Sequence, residues 1–229
     1  MALVVLPEGQ QRSGKQGGMV WSHNAAGPYT RNRAIPVNPQ TDRQVAVRNA
    51  TRGLAIAWSL ELTQLQRDAW DTYAALVNWT NRLGQSINLK GINHFIRSNV
   101  PRVQWGIARI DAAPIWPELA IAETALAATA SEATQDLTID GDPAALWIGE
   151  ADAWQFYAMG MPQSPARKFF GGPYRSLSAV PGAGPPPFPH VIAAPWPIAE
   201  GQRIWLRSRV TRGDARLSEF AQINFLCAA

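Results

Sequence analysis

Cysteine is nearly missing from this chain of 229 residues: Cys227 stands alone, so no internal disulfide can form and thiolate metal sites lack their ligands. The three histidines, His23, His94 and His190, have no ligand partner at a recognisable spacing. Charge is sparse too, at 17% of residues, and between positions 111 and 166 there is no Lys or Arg at all. No apolar run approaches the roughly 18 residues of a membrane-spanning helix. The opening stretch MALVVLPEGQQ has too short an apolar run, with no basic region before it, for a secretory signal. These absences exclude a disulfide scaffold and structural zinc, and they predict a soluble chain with no membrane partner.

Catalytic signatures are equally scarce. There is no G-x-S-x-G elbow, no H-E-x-x-H pair and no Gly-rich phosphate loop ending in Lys-Ser/Thr. Asp136, Asp140, Asp142, Glu150 and Asp152 match no calcium loop, because Pro143 and the apolar run Ala144 to Ile148 interrupt them, and they read as solvated turns. The chain is therefore expected to be no enzyme, with no catalytic residue, cofactor or metal.

What the chain does have is 46% hydrophobic residues, 18 Gly, 18 Pro and 10 Trp, enough apolar surface for a buried core and a texture of extended segments and turns. Its net charge of +4 conceals three blocks: residues 1–110 are basic, 111–166 strongly acidic and 167–229 basic again. Such asymmetry predicts separate surfaces for different partners, or acidic and basic stretches that meet inside the fold.

Residues 1–40 read as an extended basic arm. Gly27-Pro28-Tyr29 and Ile35-Pro36-Val37-Asn38-Pro39 favour a non-helical path, and Arg12, Lys15, Arg31 and Arg33 supply the charge. An unpaired backbone needs water or a neighbouring surface, so Trp21, Tyr29, Arg31 and Arg33 are candidate assembly anchors. A helical domain is expected over 41–110. Thr41…Gln44 and Thr63…Gln66 fit the capping box and place helices at about 42–59 and 64–77. The first carries a stripe of Val47, Ala50, Leu54, Ala57 and Trp58 with a separate Arg48/Arg52 ridge, a further candidate contact; the second carries Leu65, Ala69, Tyr73 and Leu76. A third helix at about 91–99 is expected to stop before Pro101, and Trp58, Trp70, Trp79 and Phe95 can form a small core.

Residues 111–136 read as a linker and acidic segment whose later part fits a helix or a first strand. Beyond it, over 137–229, short runs separated by Gly, Pro, Asp and Ser predict seven strands: 137–139, 145–148, 154–159, 174–180, 190–194, 202–211 and 217–226. That spacing argues for an antiparallel β-sandwich and an α+β chain overall. Pro185-Pro186-Pro187 fits a stiff polyproline path. The clearest strand alternates Ile204, Leu206, Ser208 and Val210 toward the core with Arg203, Trp205, Arg207 and Arg209 outward, and a return strand makes 203–226 a hairpin. Arg212-Gly213-Asp214 between them reads as turn chemistry. This closing hairpin resembles the last two strands of a fibronectin type III or immunoglobulin-like module.

A second resemblance rests on strings: Gly27-Pro28-Tyr29-Thr30-Arg31, Pro36-Val37-Asn38-Pro39-Gln40-Thr41, Trp58, Leu62-Thr63, Gln66-Arg67, Ala69-Trp70 and Tyr73-Ala74, with Gly201-Gln202-Arg203 to Arg216-Leu217-Ser218 later. In these the chain resembles a poorly characterised family of proteins encoded in tailed-phage and prophage genomes. The resemblance implies a structural component of a tailed-phage virion, made in the host bacterial cytoplasm. Its expected role is a capsid auxiliary or decoration protein acting through protein-protein assembly, with other virion proteins and further copies of itself as partners. A neck, tail or baseplate part is the second reading. A nucleic-acid-binding accessory protein, suggested by the basic arm, is the alternative from another class.

Overall fold

Three helices and thirteen strands make this an α+β chain among its described residues. In the computed structural model these are 2–3, 13–24, 27–35, 37–38, 40–80, 86–184 and 187–229. Arg12, Pro36 and Pro39 of the expected arm and Pro185-Pro186 of the expected polyproline path lie outside them. No helix among the described residues is long and apolar enough to cross a membrane. The chain divides into two compact units, Met1–Asp42 and Arg43–Ala229.

The first unit differs from the unpaired arm expected there. Strands β1 (Ala2–Leu3), β2 (Gly14–Gln16), β3 (Met19–Asn24) and β4 (Gly27–Asn32) form one antiparallel sheet in the order β1-β4-β3-β2. The extended geometry is present, but its backbone groups find partners in their own unit. Gly17 and Gly18 close the β2–β3 hairpin, and Gly17 takes the left-handed φ of 57° that a two-residue hairpin turn demands at little cost only from glycine.

In the second unit, α1 (Asp42–Leu60) and α2 (Gln64–Leu76) follow the capping signals closely. Thr63 and Gln66 make the full capping box, each side chain taking the other's backbone N–H. The buried face of α2 is not the Leu65/Ala69/Leu76 stripe. Trp70, Tyr73 and Ala74 are buried, while Leu65 and Leu76 are exposed. The larger ring gains more from burial, and Trp70 also donates from Nε1 to the Asp111 carbonyl at 2.9 Å. Val47 of α1 is likewise exposed, leaving Ala50, Leu54 and Ala57 as the buried stripe. A short hairpin of β5 (Asn78–Thr80) and β6 (Ser86–Asn88) leads into α3 (Gly91–Gln104).

Helix α3 runs through Pro101, which was expected to end it. Proline removes one N–H from the ladder and its ring crowds the carbonyl four residues back, a cost that anchors outside the helix can offset. Here Arg102, fully buried, donates from Nε to the Ala108 carbonyl at 2.7 Å and from Nη1 to the Asp152 carbonyl at 2.8 Å. At the other end, a Cβ on Gly91 would lie 2.5 Å from Asp71 Oδ1 and 2.6 Å from the Asp71 nitrogen, so glycine allows α3 to start hard against α2. Phe95 then meets Trp58 and Trp70 at ring-centroid distances of 5.7 and 5.6 Å, and Trp79 completes the expected aromatic core.

The segment read as a linker is fastened onto the same unit. Tyr73 donates to the Glu118 carbonyl at 3.2 Å, and Pro114, Ala120, Glu123 and Leu126 are buried. Its later part resolves as strand, β7 (Ala127–Ser131), not helix. Six more follow: β8 (Asp136–Asp140), β9 (Trp154–Gly160), β10 (Tyr174–Pro181), β11 (His190–Ala193), β12 (Arg203–Thr211) and β13 (Ala221–Leu226). They form two antiparallel sheets, β11-β8-β7 and β10-β9-β12-β13. Leu137 and Ile139 of one sheet and Tyr157, Met159, Ile204, Leu206 and Val210 of the other belong to a single buried cluster. Residues 145–148, expected as a strand, are successive turns: Ile148 bonds back to Ala145 and Glu150 to Trp147. Trp147 is buried in that same cluster, so its apolar run serves packing from a loop.

Candidate functional site

The row Arg203, Trp205, Arg207 and Arg209 lies on the β12 face opposite Leu206 and Val210, as the alternation requires, but it does not face open solvent. Trp205 is buried, with Phe170 stacked at 6.4 Å. Arg203 leans on the return strand, bonded to Asn224 Oδ1. Arg207 and Arg209 are half-buried beneath aromatic side chains from other segments. The Arg207 guanidinium carbon sits 4.1 Å from the centres of both the Tyr174 and Phe220 rings, and that of Arg209 lies 3.6 Å from the centre of Phe220. Guanidinium planes on ring faces at these distances are cation–π contacts. The outward face is thus roofed by loops and by α3, which no local pattern encodes.

Between this face and α3 lies a cleft of about 350 Å³, lined by Arg97, Trp105, Phe156, Arg207, Arg209 and Phe220. Gln104, Trp105 and Ser176 also line a second hollow of about 710 Å³ that reaches Arg43 and Arg48 at the start of α1. Register explains the first wall. Arg207 stands opposite Ala158 and Arg209 opposite Phe156, so small and aromatic residues of β9 floor the site. Arg97 Nη1 and Nη2 donate to the Leu217 and Ser218 carbonyls, both at 2.7 Å, tying α3 to the segment before β13. Arg43 Nη2 donates to the Ser176 carbonyl at 3.0 Å.

Electrostatically the cleft is unbalanced. Arg207 and Arg209 make no ion pair among the described residues, and the Nε of each is buried without a hydrogen-bond partner. Burial, then the neighbouring charges of Arg97 and Arg207, pushes the Arg209 guanidinium down to about 9, with Glu219 acting weakly the other way. Burial also lowers Arg207 and Arg97. A guanidinium keeps its proton at neutral pH in proteins, so all three are cations. Such a cluster holds positive potential in a partly desolvated place, which favours an incoming oxyanion.

The other expected contacts are scattered. Trp21 pairs with Thr30, and Tyr29 with Ser22, so Trp21 sits on one face of the N-terminal sheet while Tyr29 and Arg31 share the other. Arg31 and Arg33 are exposed, as are Arg48 and Arg52 on α1. Within the first unit Trp21 and Tyr29 therefore share no single patch. In the Arg212-Gly213-Asp214 turn, Glu150 binds the Arg212 guanidinium and accepts from Gly213 N at 3.0 Å, while Asp214 pairs with Arg216 at 2.7 Å. A Cβ on Gly213 would lie 2.5 Å from the Ala151 carbonyl, so this turn is pressed onto the 147–153 loop. Acidic and basic stretches do meet inside the fold here. Asp142 caps its own turn through Ala144 N at 2.8 Å. Among the described residues no group of three His, Cys, Asp or Glu could hold a metal ion.

Two histidines are placed for packing. His94 is fully buried, its Nε2 accepts from Trp79 Nε1 at 3.2 Å, and Tyr73 stands edge-on at 5.1 Å. Burial and the charge of Arg97 push it down to about 4, so it is neutral at physiological pH. His190 stacks on Tyr157 at 5.9 Å with Nε2 2.9 Å from Ser178 Oγ, and burial lowers its pKa.

No protein-family model, curated protein or solved structure matches this chain.

Proposed function

We infer that the chain is a structural component of a tailed-phage virion, a capsid auxiliary or decoration protein that works by protein-protein assembly and without catalysis. The observation that carries this reading is the first unit. It is a four-stranded sheet in which Thr30 is the one buried residue among those whose burial is described. A sheet with residues such as Trp21 and Tyr29 on opposite faces and almost no interior needs another surface to become rigid. A neighbouring virion subunit supplies that surface.

The β module fits the role of an immunoglobulin-like or fibronectin type III-like appendage. With β7 to β13 lettered A to G, the sheets are A-B-E and D-C-F-G. The constant-type immunoglobulin arrangement is A-B-E-D and C-F-G, and it differs only in the sheet that the fourth strand joins. Fold likeness by itself assigns neither function nor ligand.

The test is mass spectrometry of purified particles with copy number. Hundreds of copies support the capsid, whereas six or twelve indicate a neck or tail ring. Deletion of residues 1–40 should abolish incorporation while residues 43–229 keep their melting temperature. Full occupancy by the truncated protein would overturn the assembly role of the first unit.

A further inference from the structure

The cleft over β12 is not needed for the assembly reading and does not rest on it. Three facts about it stand together. Arg207 and Arg209 have no carboxylate partner among the described residues, whereas Arg109, Arg212 and Arg216 each pair with Asp or Glu. Both cations lie over the same Phe220 ring, at 4.1 and 3.6 Å from its centre. Trp105 lines this cleft and the hollow beside it, is 39% exposed, and has no ring partner among the described aromatic contacts.

Leaving guanidinium edges unpaired in a half-buried cleft is unfavourable unless something occupies it. Their flat faces are already committed to Tyr174 and Phe220, which fixes their orientation in advance and leaves N–H edges for an oxyanion. A phosphate suits this better than a single carboxylate because it brings more negative charge and more acceptor oxygens to a site where Arg97 adds a third cation. Among the described residues Glu219 is the one carboxylate that acts on Arg97 and Arg209, and it forms no ion pair with either. The free indole offers a stacking face next to the phosphate position, and base-on-aromatic stacking tolerates any base.

We propose that the cleft formed by Arg207, Arg209, Arg97 and Trp105 binds the phosphate of a nucleotide, with the base stacked on Trp105. The nucleotide is either free or part of a single strand, and both present the same chemistry to these residues.

The experiment is calorimetric titration of the full chain at fixed ionic strength with inorganic phosphate, adenosine monophosphate, a short oligothymidylate and a short polyglutamate peptide. Sodium chloride at matched ionic strength is the control. The monophosphate should bind saturably and at least tenfold more tightly than inorganic phosphate. Trp105→Leu should reduce that advantage to less than threefold, and the double variant Arg207→Met/Arg209→Met should weaken every phosphate ligand at least tenfold. Arg207→Lys/Arg209→Lys, which keeps the charge, should retain part of the binding and guards against a folding defect in the methionine pair. Oligothymidylate that binds tenfold more tightly than the monophosphate, with a steeper salt dependence, identifies a strand as the source; equal affinities identify a free nucleotide. Binding no better than chloride, binding unchanged in the double methionine variant, or binding of polyglutamate alone would each overturn the proposal. None of these outcomes depends on whether the chain is found in particles.

Discussion

The two units solve the same physical problem by different means. Residues 43–229 bury two apolar clusters, one around Trp70 and Phe95 and one between two sheets, and satisfy isolated carbonyls with buried arginines. Residues 1–42 satisfy their backbone by strand pairing and bury almost no side chain among those described. Hydrogen bonds alone contribute modest net stability, about 1 kcal/mol each, against an ordering cost of similar size per residue. The larger unit carries its own apolar core, and the smaller one, on the assembly proposal, is the part that a neighbouring subunit completes.

The sharpest contrast is between two tryptophans. Trp70→Ala, which empties a fully buried site and strands the Asp111 carbonyl, should lower the stability of the chain by about 3–5 kcal/mol in a denaturant titration. Trp21→Ala, outside both buried clusters, should move the same curve by less than Trp70→Ala while, on the assembly proposal, sharply reducing particle incorporation. An equal loss of stability from both would erase the distinction between the units.

Arg102 tests how the larger unit is held as one body. It joins α3 to the Ala108 and Asp152 carbonyls, so Arg102→Ala should cost about 2–4 kcal/mol. Retention of wild-type stability would mean that apolar packing and the Arg97 and Arg43 hydrogen bonds hold the helical and β parts together without Arg102.

Acid supplies a graded version. The folded His94 pKa, about 4, lies below its ordinary 6.5, so between these values the unfolded chain binds the proton and the folded one does not. Stability is fully present above pH 6.5 and falls as pH drops toward 4, by about 2–3 kcal/mol from this residue. His94→Gln keeps an acceptor for Trp79 without titrating, and it should flatten that part of the pH profile measured by thermal melts. An unchanged slope would assign the acid sensitivity elsewhere.

Local signals carried into the structure most faithfully. Thr63 and Gln66 are three residues apart, and their capping box needs nothing beyond the helix they begin. The alternation of β12 also held, because period two is a property of a single strand. What failed to show were choices made by distant partners. Leu65 and Trp70 both offer an apolar face to α2, and only Phe95 and the Asp111 carbonyl decide between them. The row of arginines on β12 was visible as a charged face, whereas its roof comes from Phe170, Tyr174, Phe220 and α3, far away in sequence. Extended geometry was evident in residues 27–32, but the pairing of β4 with β1 and β3 was not, since both lack the alternation that marks a half-buried strand.

Hydrogen exchange on the full-length protein, free and within particles, distinguishes a first unit completed by a neighbour from one that is ordered by itself. Free in solution, the amides of β3 and β4 should exchange orders of magnitude faster than those of β9 and β12, and on incorporation their exchange should slow to rates comparable with the larger unit. Strong protection of β3 and β4 in the free protein, unchanged by particles, would mean that the first unit needs no neighbour.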